Sequence, residues 1–433
     1  MKHALGTLAF TAAAFMRLRM SRAHMERYQL KRLKSLLRHA DRNVPFYRDW
    51  FRQHGFHPQD IRSLADLSNL PPIDKQRLKA LRESFTADEI ERQRLIEHQT
   101  SGSTGMPVSF LRAPHEERRL NMLRWRMRVQ LGLRPGDRLA KVKTNWEPLS
   151  PRFNRLLSLA RGTGLLDSRI FDCLNDPAGN YRKIVEFQPT SISGYPGAVA
   201  RIAEQHLRQK GRLDKLRRVG VGGETLTQAH KRLISEAFGV PIHDSYGTTE
   251  CNLAAWQCHD TGLYHVNDDG IVLEVCRDGV PVADGERGEI VITSLHSRTM
   301  PVIRYAMGDI AVAGPSACPC GSPFSTLRSL RGRTLDYLRT SDGRDMHPFE
   351  LLNEIVLADE NWIMEYQFIQ QEADRYRLLI VPRREITRSD QERIRNTLLD
   401  KLGPDARLTL EIVDAIPADR SGKLHFCRSE MNM

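Results

Sequence analysis

Apolar and β-branched positions repeat along this chain in three successive patterns, each predicting a different kind of element. Between about residues 25 and 95, Arg27, Leu30, Leu33, Leu36 and Leu37 recur at helical spacing ahead of a turn at Asn43-Val-Pro-Phe-Tyr47, which predicts a helical entry segment. From about 96 to 330 short β-branched runs alternate with helical ones. Ser191–Ser193, Val219–Val221, Val240–His243, Gly270–Val275 and Glu289–Thr293 read as strands, and Glu116–Leu131 carries Leu120, Leu123, Met127 and Leu131 on one helical face. Such alternation implies an α/β core. After Gly332-Arg333 the pattern restarts as a smaller α+β unit, with a strand at Tyr376–Val381, a helix opened by a capping box at Ser389–Glu392, and a strand at Leu408–Val413.

These patterns predict a large α/β domain of several subdomains followed by a smaller C-terminal domain. The entry segment takes residues 1–95, the core 96–332 and the C-terminal domain 333–433. A chain of 433 residues is longer than one hydrophobic core usually supports, in keeping with this division. Near the N-terminus, Lys2 precedes a mildly apolar run from Ala4 to Met16 followed by Arg17, Arg19 and Arg22. The run is too short to span a bilayer. It reads as a docking helix, with peripheral membrane contact as one use.

Charge changes this picture little. An excess of 65 Lys and Arg over 53 Asp and Glu gives a net charge of +12, which favours anionic partners such as nucleotides or coenzyme A. No basic tract or recognition motif concentrates that charge, so a nucleic-acid partner is not expected. Seven cysteines in so long a chain do not form a dense disulfide framework, and a cytoplasmic, reducing compartment is expected.

Three glycine- and hydroxyl-rich blocks carry the candidate chemistry. Thr100-Ser101-Gly102-Ser103-Thr104-Gly105 offers backbone N–H and side-chain O–H groups to phosphate oxygens without steric obstruction, and it lacks the Gly-Lys-Ser/Thr ending of a Walker loop. The second block pairs Val219-Gly-Val-Gly222-Gly223-Glu224 with Asp244-Ser245-Tyr246-Gly247-Thr248-Thr249-Glu250, and the third is Arg304-Tyr-Ala-Met307-Gly-Asp309. Cys318-Pro-Cys320 and the stretch Cys258-His-Asp-Thr-Gly-Leu-Tyr-His265 supply thiolate and imidazole groups that would complete a tetrahedral zinc site, with His259 as an alternative ligand.

Together these blocks resemble the adenylate-forming superfamily of acyl-CoA synthetases, and within it the phenylacetate-CoA ligase branch and its relatives of capsular polysaccharide synthesis. Asn43-Val-Pro-Phe-Tyr47 and Leu70-Pro-Pro-Ile-Asp-Lys75 add to the likeness, which covers about residues 25 to 430. The resemblance implies that a carboxylic acid is activated by ATP and passed to a thiol acceptor, most commonly coenzyme A. Tyr246 would stack on adenine, Asp244 with the Gly222-Gly223-Glu224 backbone would line the base pocket, and Ser245 and Gly247 would belong to the same block. Thr248 and Thr249 would face phosphate, Glu250 would hold Mg²⁺, and Asp309 would accept both ribose hydroxyls. Arg333 would sit at a hinge near the domain boundary, and Lys423 in Arg420-Ser-Gly-Lys-Leu424 would bridge carboxylate and α-phosphate. A structural Zn²⁺ on Cys258, His265, Cys318 and Cys320 rests partly on similar segments in that branch. Three departures stand out: Met106 where relatives carry lysine, Met307 in place of threonine, and Leu335 in place of a hinge aspartate.

The alternatives are transfer of the adenylate to an amine or a carrier protein in cell-envelope synthesis, and a nucleotide-binding scaffold without turnover. A homodimer is compatible with every reading.

Overall fold

The computed structural model describes residues 2–88, 95–100, 108–144, 166–333, 338–339, 345–346, 351–352, 362–419 and 422–431. The chain divides into two compact units, residues 1–132 with 245–334, and 133–244 with 335–433.

The first unit opens with the helices Lys2–Arg17, Arg22–Asn43 and Pro45–Gln53. Ser21 caps the second, its hydroxyl accepting the His24 N–H. Extended backbone at Val44 then breaks the helix, and Pro45 starts the third at the position where its missing N–H costs nothing. Leu33, Leu36, Leu37, Tyr47 and Phe51 are buried in one core with Ile290, Ile292, Ile303 and Tyr305. Ile290, Ile292 and Tyr305 belong to an antiparallel sheet in the order 280–281, 271–277, 287–294, 305–313, 326–333, 264–266, 255–257, ending on Ser245-Tyr246, and Ile303 lies in the connection just before Tyr305. The helix Pro114–Gln130 buries Leu120, Leu123 and Met127, the face its sequence predicts.

The N-terminal helix is fastened rather than free. Its last residue, Arg17, places Nε 2.8 Å from Asp269 Oδ2, and Arg126 of Pro114–Gln130 approaches the same oxygen at 2.5 Å. Burial alone would raise the Asp269 carboxyl, but the two guanidinium groups hold it below its usual range. Leu8 and Met16 point outward, 67% and 62% exposed. No helix among the described residues is long and apolar enough to cross a membrane.

The second unit holds the parallel strands Leu166–Phe171, Asp137–Val142, Ser191–Gly194 and Arg218–Gly222, followed in order by the start of Ile242–Tyr246. The helices Pro177–Phe187, Pro196–Gln209 and Gln228–Phe238 alternate with them, and Val142, Ile184, Ile192, Val199, Val219 and Ile234 share one core. The strand expected at Val240–His243 begins two residues later. Pro241 has no N–H for a ladder, and only its carbonyl engages, accepting the Val219 N–H at 2.9 Å.

The C-terminal part of this unit is a four-stranded sheet in the order 407–412, 375–382, 363–370, 427–429, covered by the helix Arg388–Leu402. That helix is capped two residues earlier than its sequence suggests. Thr387 accepts the Asp390 N–H while Asp390 accepts the Thr387 N–H at 3.0 Å, so Ser389 lies inside the first turn and the Ser389–Glu392 pair is not the box.

Candidate functional site

In the first unit, strand Ile96–Gln99 leads into Thr100, the first residue of the phosphate-loop block. Strands Ile96–Gln99 and Ser109–Arg112 pair antiparallel, and the hairpin closes where the Thr100 N–H donates to Val108 O (2.9 Å) and the Val108 N–H returns to Thr100 Oγ1 (3.0 Å). Ser101, Gly102, Ser103, Thr104, Gly105 and Met106 lie outside the described residues.

The Tyr246–Glu250 block folds tightly at the end of its strand. The Ala254 N–H donates to Tyr246 O and the Asn252 N–H to Thr248 O, both at 2.8 Å, turning Thr248, Thr249 and Glu250 back toward the sheet. The Tyr246 hydroxyl donates to the Asp309 carboxylate, joining two predicted residues 63 positions apart. Both are half-buried, whereas Glu250 is buried. Burial pushes the Glu250 carboxyl up and the Asp309 charge pushes it further, with the Thr248 hydroxyl and Arg112 opposing. Buried Glu250 beside the Thr248 hydroxyl offers hard-oxygen donors of the kind Mg²⁺ takes. Strand register sets Arg333 opposite Asp309.

Arg112 is a residue the sequence reading missed. Its guanidinium donates to Thr249 O and, at 3.0 Å, to Glu117, fastening the Thr248–Glu250 turn to the helix Pro114–Gln130. Together with His98 it holds the Glu117 carboxyl down at about 2 in spite of burial. Arg304, in the third block, is fully buried. It reaches Glu274 (3.1 Å) and the carbonyls of Ser68 (3.0 Å), Leu70 and Gly279 (2.8 Å), so it is a brace for the strand that carries Asp309.

The second unit gathers another set. Gly223 adopts φ +83°, and a Cβ there would come within 3.1 Å of the Tyr195 ring, so this block needs glycine on both counts. Asp244 is buried at the end of the same sheet. Lys423 brings Nζ to 5.7 Å from the Tyr195 ring centroid, cation over aromatic face. Glu224, expected to contribute backbone, also engages its side chain: Oε1 accepts the Leu424 N–H at 2.8 Å and Oε2 the Gly197 N–H at 3.2 Å. No local sequence signal marks that role, because the partners lie 27 and 200 residues away.

The predicted zinc ligands converge within the first unit. One ligand atom from each of Cys258, His265, Cys318 and Cys320 lies within 4.8 Å of all the others. Cys258 and Cys318 bring their sulfurs to 3.9 Å, and Cys320 Sγ is 3.4 Å from His265 Nε2. A tetrahedron with Zn–S bonds of about 2.3 Å has edges of about 3.8 Å, so the donor set fits the ion. His259 is not part of this group.

Comparison with known proteins agrees with this geometry. An AMP-binding enzyme family model matches residues 98–297, and one for the CapK C-terminal domain matches 338–430. Phenylacetate-coenzyme A ligase of Escherichia coli K12 is 29% identical over 344 residues, 77% of this chain and 76% of that protein. Protein CapK of Staphylococcus aureus is 22% identical over 407 residues, 92% of this chain and 88% of that one. Among solved structures, 2-hydroxyisobutyryl-CoA ligase in its postadenylation state superposes with a TM-score of 0.77 at 21% identity, covering 96% of this chain and 91% of that chain. In its thioesterification state the same protein gives 0.65, covering 96% and 92%.

Fold and site together define an adenylate-forming enzyme. Within that superfamily the chain is similar to the phenylacetate-coenzyme A ligases and to CapK.

Proposed function

We propose that this protein is an ATP-dependent acid–thiol ligase working in two steps. A carboxylate oxygen of the acid attacks the α-phosphorus of ATP, the bond to the β-phosphate oxygen breaks, and pyrophosphate leaves. A thiol sulfur, that of coenzyme A, then attacks the acyl carbon. The carbon–oxygen bond to AMP breaks, AMP leaves, and the thiol proton passes to solvent.

The observation that carries this reading is the meeting of Tyr246 with Asp309 beside buried Glu250 and Thr248. In the roles we assign, Tyr246 offers its ring to the base and Asp309 its paired oxygens to the ribose. Glu250 and Thr248 would hold Mg²⁺, which when bound neutralises phosphate charge. The Thr100–Gly105 loop and Thr249 contact phosphate, Gly222, Gly223, Asp244 and Ser245 shape the base pocket, and Gly247 lets the turn close. Arg333 reaches the nucleotide, while Lys423 counters charge developing at phosphorus. Zn²⁺ on Cys258, His265, Cys318 and Cys320 would be structural.

The test is a panel of carboxylic acids assayed for ATP-dependent hydroxamate formation without coenzyme A, then repeated with coenzyme A, a carrier protein or an amine. Pyrophosphate release with an acid and thioester formation with coenzyme A are expected. AMP release that requires a carrier protein or an amine would instead favour the cell-envelope reading, which the match to the CapK C-terminal domain supports. No pyrophosphate with any acid would leave a nucleotide-binding scaffold. Membrane contact would run through Leu8 and Met16, and cosedimentation with anionic vesicles that is lost in Leu8→Ser/Met16→Ser checks it.

A further inference from the structure

The turn that carries Lys423 is built by Asp419. The Lys423 N–H donates to Asp419 Oδ1 (3.0 Å), the Asp419 N–H donates to Lys423 O (2.8 Å), and His425 Nε2 lies 3.0 Å from Asp419 Oδ2. This closed turn touches the 133–244 part of its unit next to Lys423. The Leu424 N–H meets Glu224, the Leu424 side chain lies against Gly197, and Gly422 lies against Cys173 and Thr144. Farther away the C-terminal part is tied by Arg201, which grips both oxygens of Glu365 (2.8 and 3.1 Å) and Ile416 O (2.6 Å).

Glu224 differs from these outer ties in what it controls. One of its two donors, Gly197, belongs to the same part of the unit and stays with it wherever the C-terminal part goes. The other, Leu424, arrives only when the Lys423 turn is docked. If the acceptor is removed, the Leu424 N–H of the half-buried turn loses its partner in the docked arrangement, while an undocked turn gives it to water. The penalty therefore falls on one arrangement alone.

We propose that Glu224 is a positioning residue for Lys423, a latch that holds the Lys423 turn in the arrangement that forms the adenylate. This rests on the ligase reading above. A cavity of about 20 Å³ beside the latch, lined by Glu224, His230, Glu365, Tyr366 and Leu424, has room for one water. His230 Nδ1 and the Tyr366 hydroxyl are buried with no partner among the described residues.

The experiment compares wild type with Glu224→Ala, Glu224→Gln and Gly197→Ala. Adenylation is read by ATP–pyrophosphate exchange with an acid identified in the panel, the second step by thioester formation from supplied acyl-adenylate, and docking by hydrogen–deuterium exchange of the peptide containing Leu424. Glu224→Ala should slow adenylation by about 10- to 100-fold, leave the second step near wild type, and raise exchange at Leu424. Glu224→Gln keeps a carbonyl acceptor for Leu424 and should recover to within about 5-fold. In Gly197→Ala the new Cβ falls 2.3 Å from Leu424 Cδ1, so it should reproduce the selective loss, and adding Leu424→Ala should relieve it. Equal loss of both steps, or Leu424 exchange unchanged from wild type in Glu224→Ala, would overturn the latch. Because amide exchange needs no substrate, it separates failure of the latch from failure of the ligase reading.

Discussion

Single residues carry two kinds of work here, and burial tells them apart. Arg304 lies inside a nucleotide-binding motif yet is fully buried on Glu274 and three carbonyls, in a left-handed conformation at φ +46°. Breaking a buried, multiply bonded cation leaves Glu274 uncompensated. Arg304→Ala should therefore cost about 3–5 kcal/mol, and urea unfolding would show it. A change confined to nucleotide affinity would contradict the bracing role. Glu224 shows the opposite sign. Burial pushes its carboxyl up to about 7 from 4.5, against the Leu424 and Gly197 N–H groups and Lys423, while Asp419 adds to the rise. Arg201, Cys173 and Tyr195 also sense its charge. The folded state thus keeps a proton that the unfolded chain releases. Stability from this group is full below about pH 4.5 and is lost as pH rises through about 7, at most roughly 3 kcal/mol. Glu224→Gln lacks that slope, so its Tm relative to wild type should climb between pH 5 and 8 and level off above. A flat difference would remove the titration from the account.

At the scale of elements, the Cys258, His265, Cys318 and Cys320 cluster is placed where a bound ion would hold short segments together. Strand Tyr264–Val266 is three residues long, pairs with Thr326-Leu327 on one side, and bears His265 in that register. Cys318 and Cys320 lie in the loop just before Thr326–Arg333, so one ion would tie loop and strand together. Cys318→Ser should abolish a stoichiometric zinc signal by elemental analysis and lower Tm, with adenylation lost only through unfolding. Full zinc content in that variant would exclude the four-ligand site. The helix Pro114–Gln130 is the other organising element, because Glu117 and Arg126 on its two sides meet the Arg112–Thr249 contact and the Asp269 network.

For the whole molecule, the ligase reading predicts that the two chemical steps separate by mutation. Lys423→Ala should lower ATP–pyrophosphate exchange by about 10²- to 10³-fold while thioester formation from supplied acyl-adenylate persists. Parallel loss of both would mean that Lys423 holds structure and leaves the α-phosphate alone.

Much of this was legible in the chain. Helical spacing in residues 25–95 and β-branched runs at 191–193, 219–221 and 289–293 are local signals, because side-chain period acts within a few residues, whereas joining Cys318 and Cys320 to Cys258 and His265, over fifty positions away, rested partly on the resemblance. The slips were local too: Pro241 delayed a strand, and Thr387 displaced Ser389 as cap because its hydroxyl reached an N–H first. What sequence alone could not supply is any role defined by a partner far along the chain. Tyr246 with Asp309, Arg112 with Thr249, Arg304 with Leu70 and Glu224 with Leu424 are hydrogen bonds between residues 63 to 234 positions apart. Sequence determined which chemistry the residues could perform, since that depends on functional groups and their local order. Tertiary structure decided which of them brace, which titrate and which latch, because desolvation and distant donors exist only once the chain is folded.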